Sequence, residues 1–321
     1  MVIWKSVVTR FLGDKMRIAI TGGLGFIGKW VLSLLPDNVD VTIISRNYEG
    51  TFSINNREFY SCITDYSYDS LCKILAGNDA VLHLAAQRQN EQVQDQCMYN
   101  VMVDFELFRA CEACNINNVV FTSSVAIYGD QVAPWKETNL SAPKSMYGLA
   151  KHQSEQTAAY FNRRGLSIKS LRVAQVLGLG ERSSSVTTVF LRKALNKEKI
   201  SLTGGVNIRR EYIYVKDLVD ALFIALSQPT IKGVFNLGSG FIVSIEELAH
   251  IMNFYFENVG NLEHSSEFKA INEYSLMDSS LFATTFRWDP KWTIEEAILD
   301  IRNILNGGMY KNSYNIEYYG I

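Results

Sequence analysis

Arg17-Ile18-Ala19-Ile20-Thr21 running into Gly22-Gly23-Leu24-Gly25-Phe26-Ile27-Gly28 is the stretch that decides how this chain is read. A short β-type run meets glycines at 22, 25 and 28, and a helical apolar period then extends from Phe26 to Leu35 and stops at Pro36. In a strand-turn-helix of this kind the first glycine permits the tight turn. The second lets backbone approach a diphosphate, and the third lets the helix pack closely on the strand. The helix start adds the N–H groups of Phe26, Ile27 and Gly28 and the positive end of the helix dipole. Gly22, Gly25, Phe26, Ile27 and Gly28 are therefore candidate contacts for a dinucleotide cofactor.

Outward from this loop, β-type runs at Val41–Ser45, Ala80–Leu84, Asn118–Ser123 and Ser167–Val173 alternate with helical runs near Tyr68–Leu75, Gln92–Cys114 and Tyr147–Arg164. Such alternation implies right-handed crossovers and a parallel sheet covered on both faces. The fold class expected is α/β, a Rossmann-type doubly wound parallel sheet with a smaller α/β C-terminal substrate lobe. Regularity weakens after Ala174. Strands at Glu211–Val215 and Val234–Leu237 flank a helix at Leu218–Leu226, and both strands are expected to return to the main sheet. That assigns residues 16–174 plus about 209–238 to the dinucleotide-binding domain. About 175–208 plus 239–321 form the substrate-binding lobe, and 1–15 stand apart as an N-terminal extension.

Composition bounds the function. The 321 residues are 47% hydrophobic and 20% charged, an ordinary globular mixture. No run reaches the 18 apolar residues of a membrane span. A formal net charge of −2, from 31 basic and 33 acidic residues, offers no electrostatic footprint for nucleic acid or an anionic membrane. Five cysteines, an odd number, read as reduced thiols in a cytoplasmic protein. The Cys111-x-x-Cys114 pair lies in a helical run without a second pair or a nearby histidine. It reads as packing, and no metal site is expected.

The second β run ends Ile44-Ser45-Arg46-Asn47, where an acidic residue would accept the ribose 2′-hydroxyl of NAD. Arg46 instead offers a planar guanidinium suited to a 2′-phosphate, and Ser45 a hydroxyl. Asp40 lies at the wrong end of the strand. NADP is the expected cofactor, with NAD the alternative. Tyr147 and Lys151, four apart at a helix start, share one face. The ammonium favours the phenolate, so Tyr147 is suited to exchange a proton with a sugar hydroxyl or ketone while hydride moves. Ser124 closes a strand and faces the same crevice.

These residues sit in a series of motifs: TGGLGFIG, HLAA at His83–Ala86, SSVAIYG around Ser124, YGLAK at Tyr147–Lys151, LRVAQVLG at Leu171–Gly178, REYIYVKD at Arg210–Asp217 and FNLGSG at Phe235–Gly240. In this order they resemble the extended short-chain dehydrogenase/reductase family, the nucleotide-sugar epimerases, dehydratases and ketoreductases. The resemblance implies that Ser124, Tyr147 and Lys151 are the catalytic triad. It implies that Leu84, Ala85, Ala86 and Asn100 line the cofactor together with Tyr147 and Lys151, that Ser124, Gln175 and Arg210 meet a nucleotide-diphosphate sugar, and that the chain is a homodimer.

The departures are informative. Val125 and Ala126 replace the acidic pair of the family's dehydratases, so 4,6-dehydration is not expected. Cys62 replaces an adenine-contacting Asp, with Asp65 three residues on. Gln175 replaces an Asn, and the Arg-Pro-Gly-Asp stretch is missing before Asp278, which leaves Arg210 to grip the diphosphate. Two activities use the same triad: an NADPH-dependent 4-ketoreductase, to which Arg46 tilts the reading, and a 4-epimerase that recycles its cofactor. A non-catalytic NADP-binding protein is the third reading, and the intact triad argues against it. His83 reads as a packed strand-end residue, and Tyr128, Trp288 and Trp292 as core.

Overall fold

The computed structural model describes residues 16–87, 96–202, 208–264 and 274–307. The segment 1–15, the start of the helical run at 92–95 and the Tyr-rich stretch from Tyr310 to Tyr319 lie outside them. In chain order the strands are β1 (Met16–Thr21), β2 (Val39–Ser45), β3 (Gly50–Ile54), β4 (Arg57–Ile63), β5 (Ala80–His83), β6 (Asn118–Ser124), β7 (Ser167–Val173), β8 (Gln175–Leu177), β9 (Ile200–Leu202), β10 (Arg209–Tyr214), β11 (Gly233–Leu237), β12 (Ile242–Ser244), β13 (Leu262–His264) and β14 (Tyr274–Ser275). The helices are α1 (Phe26–Ser33), α2 (Tyr68–Leu75), α3 (Gln96–Ala113), α4 (Met146–Arg163), α5 (Val186–Leu195), α6 (Val215–Leu226), α7 (Ile245–Tyr255), α8 (Ser280–Phe286) and α9 (Ile294–Leu305).

The main sheet runs β11-β7-β6-β5-β1-β2-β4-β3, parallel throughout except for the β3–β4 hairpin. The chain leaves β1 for β2 on one side and returns to β5 on the other, so the crevice at the carboxyl ends of β1 and β5 is where such sheets bind ligands. Alternate strand residues supply the two faces. Ala19, Val81, Val119 and Phe121 pack against Leu71, Leu107, Phe108 and Phe161 of α2, α3 and α4. Ile18, Ile20, Leu82 and Val120 pack on the other face with Trp30 of α1 and Leu218 and Leu222 of α6. Every residue of α6 is buried: its apolar side packs on the sheet, and its charged residues Lys216, Asp217 and Asp220 are paired with Asp300, with the N–H groups of Lys291 and Trp292, and with the Lys291 ammonium.

Two features differ from the sequence reading. Residues 50–63 form a hairpin turned by Asn55 and Asn56, both at positive φ, and its second strand pairs with β2. The 209–214 strand does not return to the main sheet. β10 pairs with β12, β14 and β8 in a separate small sheet, and only β11 joins β7. A run as apolar as Tyr212-Ile213-Tyr214 is buried in either place, so its pattern does not encode its partner. Among the described residues no helix is long and apolar enough to cross a membrane.

Lys169, buried in β7, donates to Asn118 Oδ1 at 2.7 Å and to the Gln228 carbonyl at 3.0 Å. Burial lowers its pKa from the ordinary 10.5 to about 7. Below pH 7 the ammonium is charged in both folded and unfolded states and carries its full desolvation penalty. Between 7 and 10.5 the unfolded chain binds the extra proton, so this residue makes stability rise with pH, by at most about 1.4 kcal/mol per unit. Lys169→Met is therefore expected to stabilise the protein at pH 6 and to lose that advantage by pH 10, as denaturant unfolding at the two pH values will measure.

Candidate active site

The glycine loop closes on itself. Gly25 N–H donates to the Gly22 carbonyl at 3.0 Å, and Gly22 N–H to the Ile44 carbonyl at 3.3 Å. Gly22 has φ of +69°, and a Cβ there would stand 2.7 Å from Ala85 N; one on Gly28 would stand 2.3 Å from the Gly22 carbonyl oxygen. Gly25 is the N-cap of α1 without a capping side chain, and no acidic residue lies in the first turn. The N–H groups of Phe26, Ile27 and Gly28 are the unsatisfied donors of any helix start. This cradle fits the diphosphate of a nicotinamide dinucleotide: donors and a dipole end face outward, and no carboxylate in the first turn opposes an anion.

Arg46 and Ser45 sit where the second strand ends. Ser45 Oγ accepts Asn47 N–H at 3.3 Å, and the exposed Arg46 guanidinium stands 5.8 Å from the centre of the Tyr99 ring. Asp65 turns away into a local cap: its carboxylate accepts Ser67 N–H at 2.8 Å, and the Ser67 hydrogen bonds hold it below the usual carboxylate range. Cys62 lies within β4, opposite Ile44, with its thiol pushed up by burial. On α3, Asn100 is spent on the backbone of Gln87, accepting its N–H and donating to its carbonyl, each at 2.8 Å. It thereby fixes the loop that continues from Leu84, Ala85 and Ala86.

The catalytic candidates converge at the end of β6. Lys151 Nζ is buried, donates to the Thr122 carbonyl at 2.8 Å and lies 4.4 Å from the centre of the Phe121 ring. Ser145 caps α4 by accepting Gly148 N–H at 3.1 Å. Gly148 then lies so close to the turn after Ser124 that a Cβ would stand 2.4 Å from the Ala126 carbonyl oxygen. Tyr147, its neighbour, is half-buried beside that turn. Ser124 ends β6, its Oγ accepting Ala126 N–H at 3.2 Å.

The substrate candidates lie next to this. Val173 is the Cα partner of Ser124, and Gln175 follows two residues later on β8. Gln175 pairs with Tyr212, so it shares one face of the small sheet with Arg210, two residues along β10. Behind these residues a buried network ties the lobes. Arg172 grips Glu155 through two nitrogens, at 3.0 and 2.8 Å, and donates to Tyr128 Oη at 2.8 Å. Tyr128 Oη donates to Asn236 Oδ1 at 2.6 Å, and Asn236 Nδ2 donates to the carbonyls of Trp135 and Asp278.

One pairing escaped the sequence reading. His83 is packed at a strand end as expected, but its Nε2 lies 2.6 Å from the buried carboxylate of Asp104. An acid in mid-helix, one turn after Asn100 on the face toward the sheet, was the available signal. Trp288 is core as expected, while Trp292 is partly buried against it. Cys111 is buried packing on α3, its thiol pushed up by that burial.

Residues 18–238 match the model of the NAD dependent epimerase/dehydratase family. The chain belongs to that family and is an enzyme of it. Among solved structures it is similar to the UDP-N-acetylglucosamine 4-epimerase from Bacillus cereus, 31% identical over 91% of this chain and 97% of that one, with a TM-score of 0.82. MoeE5 in complex with UDP-glucuronic acid and NAD is 25% identical over 89% of this chain and 96% of its own, with a TM-score of 0.75. The dTDP-4-dehydro-6-deoxyglucose reductase of Escherichia coli is 24% identical over 88% of this chain and 96% of the relative.

Tyr147→Phe removes one hydroxyl from a half-buried helix start and leaves Lys151 in place. It is expected to leave the melting temperature and dinucleotide binding close to wild type while turnover falls by about 10²–10⁴-fold, the usual worth of a positioned acid or base. Calorimetry of cofactor binding and steady-state rates measure both halves.

Proposed function

We propose that this chain is an NADPH-dependent 4-ketoreductase acting on a nucleotide-activated sugar. The observation that carries the enzymatic reading is the buried Lys151 ammonium, held on the Thr122 carbonyl one helical turn from Tyr147, at the strand end that carries Ser124. Gly22, Gly25, Phe26, Ile27, Gly28 and the loop Leu84–Ala86 would hold the dinucleotide, which supplies hydride when bound. Ser124 donates a hydrogen bond to the C4 oxygen and fixes its position. Tyr147 gives that oxygen a proton as it takes on alkoxide charge, and Lys151 stabilises the phenolate left behind. Gln175 and Arg210 reach the sugar and the diphosphate, the guanidinium in two-point fashion. The described cysteines are free thiols, in keeping with a reducing, cytoplasmic setting.

The cofactor preference rests on Arg46. It is exposed at the end of β2, and Asp65, the acid that follows β4, is occupied by its own cap. A charge-assisted contact to a 2′-phosphate is worth roughly 1.5–3 kcal/mol, about ten- to a hundred-fold in affinity. Wild-type protein is expected to bind NADPH more tightly than NADH by that factor, and Arg46→Ala to remove most of the preference while NADH binding changes little. Titration calorimetry of both cofactors against both proteins decides it. The second reading is a 4-epimerase that keeps its NAD, favoured by the likeness to the Bacillus cereus enzyme. Equal affinities, or protein purified with NAD in place, select the epimerase. A panel of nucleotide sugars, followed by cofactor absorbance and sugar configuration, separates the two directly.

The assembly proposed is a homodimer through α3 and α4. Met102 and Phe105 on α3 and Tyr160 on α4 are exposed apolar side chains on two packed helices, a surface of the kind that marks an interface. The apolar stripe that helical spacing offers here, Val101, Phe105, Phe108 and Cys111–Glu112, is not this surface as a whole, because Phe108 and Cys111 face inward. Light scattering at micromolar concentration is expected to give twice the chain mass, and Met102→Lys to reduce it to the monomer value.

A further inference from the structure

Among the described residues the guanidinium of Arg46 makes no hydrogen bond and no ion pair. An exposed arginine without an acidic partner keeps its N–H donors for a ligand. Its carbon Cζ lies over the ring of Tyr99, 5.8 Å from the centroid, within the range of a cation–π contact. That contact joins the end of β2 to the start of α3.

The ring is itself tied down. Tyr99 is 42% exposed, and its hydroxyl donates to the Asp65 carbonyl at 3.3 Å. Ser45 pairs in register with Ile63, so Arg46 and the turn at 64–66 leave adjacent strands side by side. Several bonds fix that turn. Thr64 N–H donates to the Ser45 carbonyl at 2.9 Å, Thr64 Oγ1 accepts Tyr66 N–H at 3.0 Å, and the Asp65 carboxylate accepts Ser67 N–H at 2.8 Å. Tyr66 has a φ of +61°, a left-handed conformation that bulky residues seldom adopt and that persists only where surrounding contacts impose it. At the other end Asn100, the next residue of α3, is clamped on the Gln87 backbone through two bonds of 2.8 Å. Tyr99 is thus anchored through its hydroxyl and through its helix, and its ring is a fixed surface for the flexible Arg46 side chain.

We propose that Tyr99 is a cofactor-specificity residue: its ring holds the Arg46 guanidinium where a ribose 2′-phosphate meets it, and so strengthens binding of NADPH and not of NADH. This rests on the assignment of Arg46 to the 2′-phosphate made above. A long side chain loses rotamer freedom when it grips a ligand, and a contact that restricts it beforehand lowers that cost. Apparent affinity scales with the fraction of time the side chain spends in the competent conformation. A cation–π contact at an exposed site shifts such a fraction by about two- to fivefold. A dinucleotide without the 2′-phosphate does not use the guanidinium and gains nothing from its placement.

The test is calorimetric titration of NADPH and NADH against wild type, Tyr99→Leu, Arg46→Ala and the double variant. Tyr99→Leu is expected to lower the NADPH-to-NADH affinity ratio about two- to fivefold with NADH binding unchanged, which also shows that the variant is folded. Tyr99→Phe, which keeps the ring, is expected to keep most of the ratio. In the Arg46→Ala background Tyr99→Leu is expected to change neither affinity, since coupled residues lose their interaction only once. An unaltered ratio in Tyr99→Leu overturns the proposal, and so does an equal loss for both cofactors, which would make Tyr99 a contact of the shared adenosine. A loss of the ratio that persists without Arg46 overturns it as well. Those three results leave the Arg46 assignment standing, because the wild type still prefers NADPH and Arg46→Ala still abolishes the preference. A wild type that binds both cofactors equally removes that assignment and this inference together.

Discussion

An ammonium with 1% of its residue exposed must be compensated where it sits, and the architecture around Lys151 follows from that need. The compensation is a carbonyl at the end of β6, the face of Phe121 and the charge of Asp104. For the lysine to reach that carbonyl, α4 must lie close to the strand end, which is why position 148 tolerates no side chain. Tyr147 gains its place at the same contact. A substitution that lifted α4 by one methyl group would therefore displace the phenol and uncover the ammonium together.

The second constraint joins the lobes. Glu155, one turn beyond Lys151, holds Arg172, and Arg172 holds Tyr128. Through Asn236 the same network fastens the backbone at Trp135 and Asp278, while Asn236 N–H donates to Glu137 at 2.7 Å. Glu211 adds a further tie by accepting the N–H groups of Gly240 and Met277 at 2.8 and 3.0 Å. Breaking one partner of such a buried pair strands the other charge, which costs about 3–5 kcal/mol. The ends of β6 and β7 and the backbone at Trp135, Gly240, Met277 and Asp278 are thus held in one polar scaffold.

The legible parts of the sequence were those where chemistry repeats at a local spacing. Glycines at 22, 25 and 28, and the Tyr147/Lys151 pair with Ser124 upstream, can be read because helix and strand periods put them in place. Contacts between distant segments were not legible. Asp104 looks like any polar helix residue until β5 brings His83 to it, and β10 looks like a sheet strand without naming its sheet. Asn55-Asn56 did carry a local signal, since asparagine tolerates positive φ at a tight turn. The departures at Cys62 and Gln175 were visible as residue changes, but what each side chain touches depended on the fold.

The edge strand β11 arrives from far along the chain. It seals β7, and α6, which immediately precedes it, covers the sheet face over β5 and β6. During synthesis the ribosome must therefore release residues through Leu237 before the backbone groups along one side of β7 find partners. Until then a nascent chain that already carries the glycine loop, Ser124, Tyr147 and Lys151 presents an open strand edge and a bare apolar face. Parallel pairing over such a separation is slow to form and exposed to aggregation meanwhile. Expression truncated anywhere short of that strand would yield these side chains on a template for intermolecular pairing, and chaperone demand would be concentrated in that interval of translation.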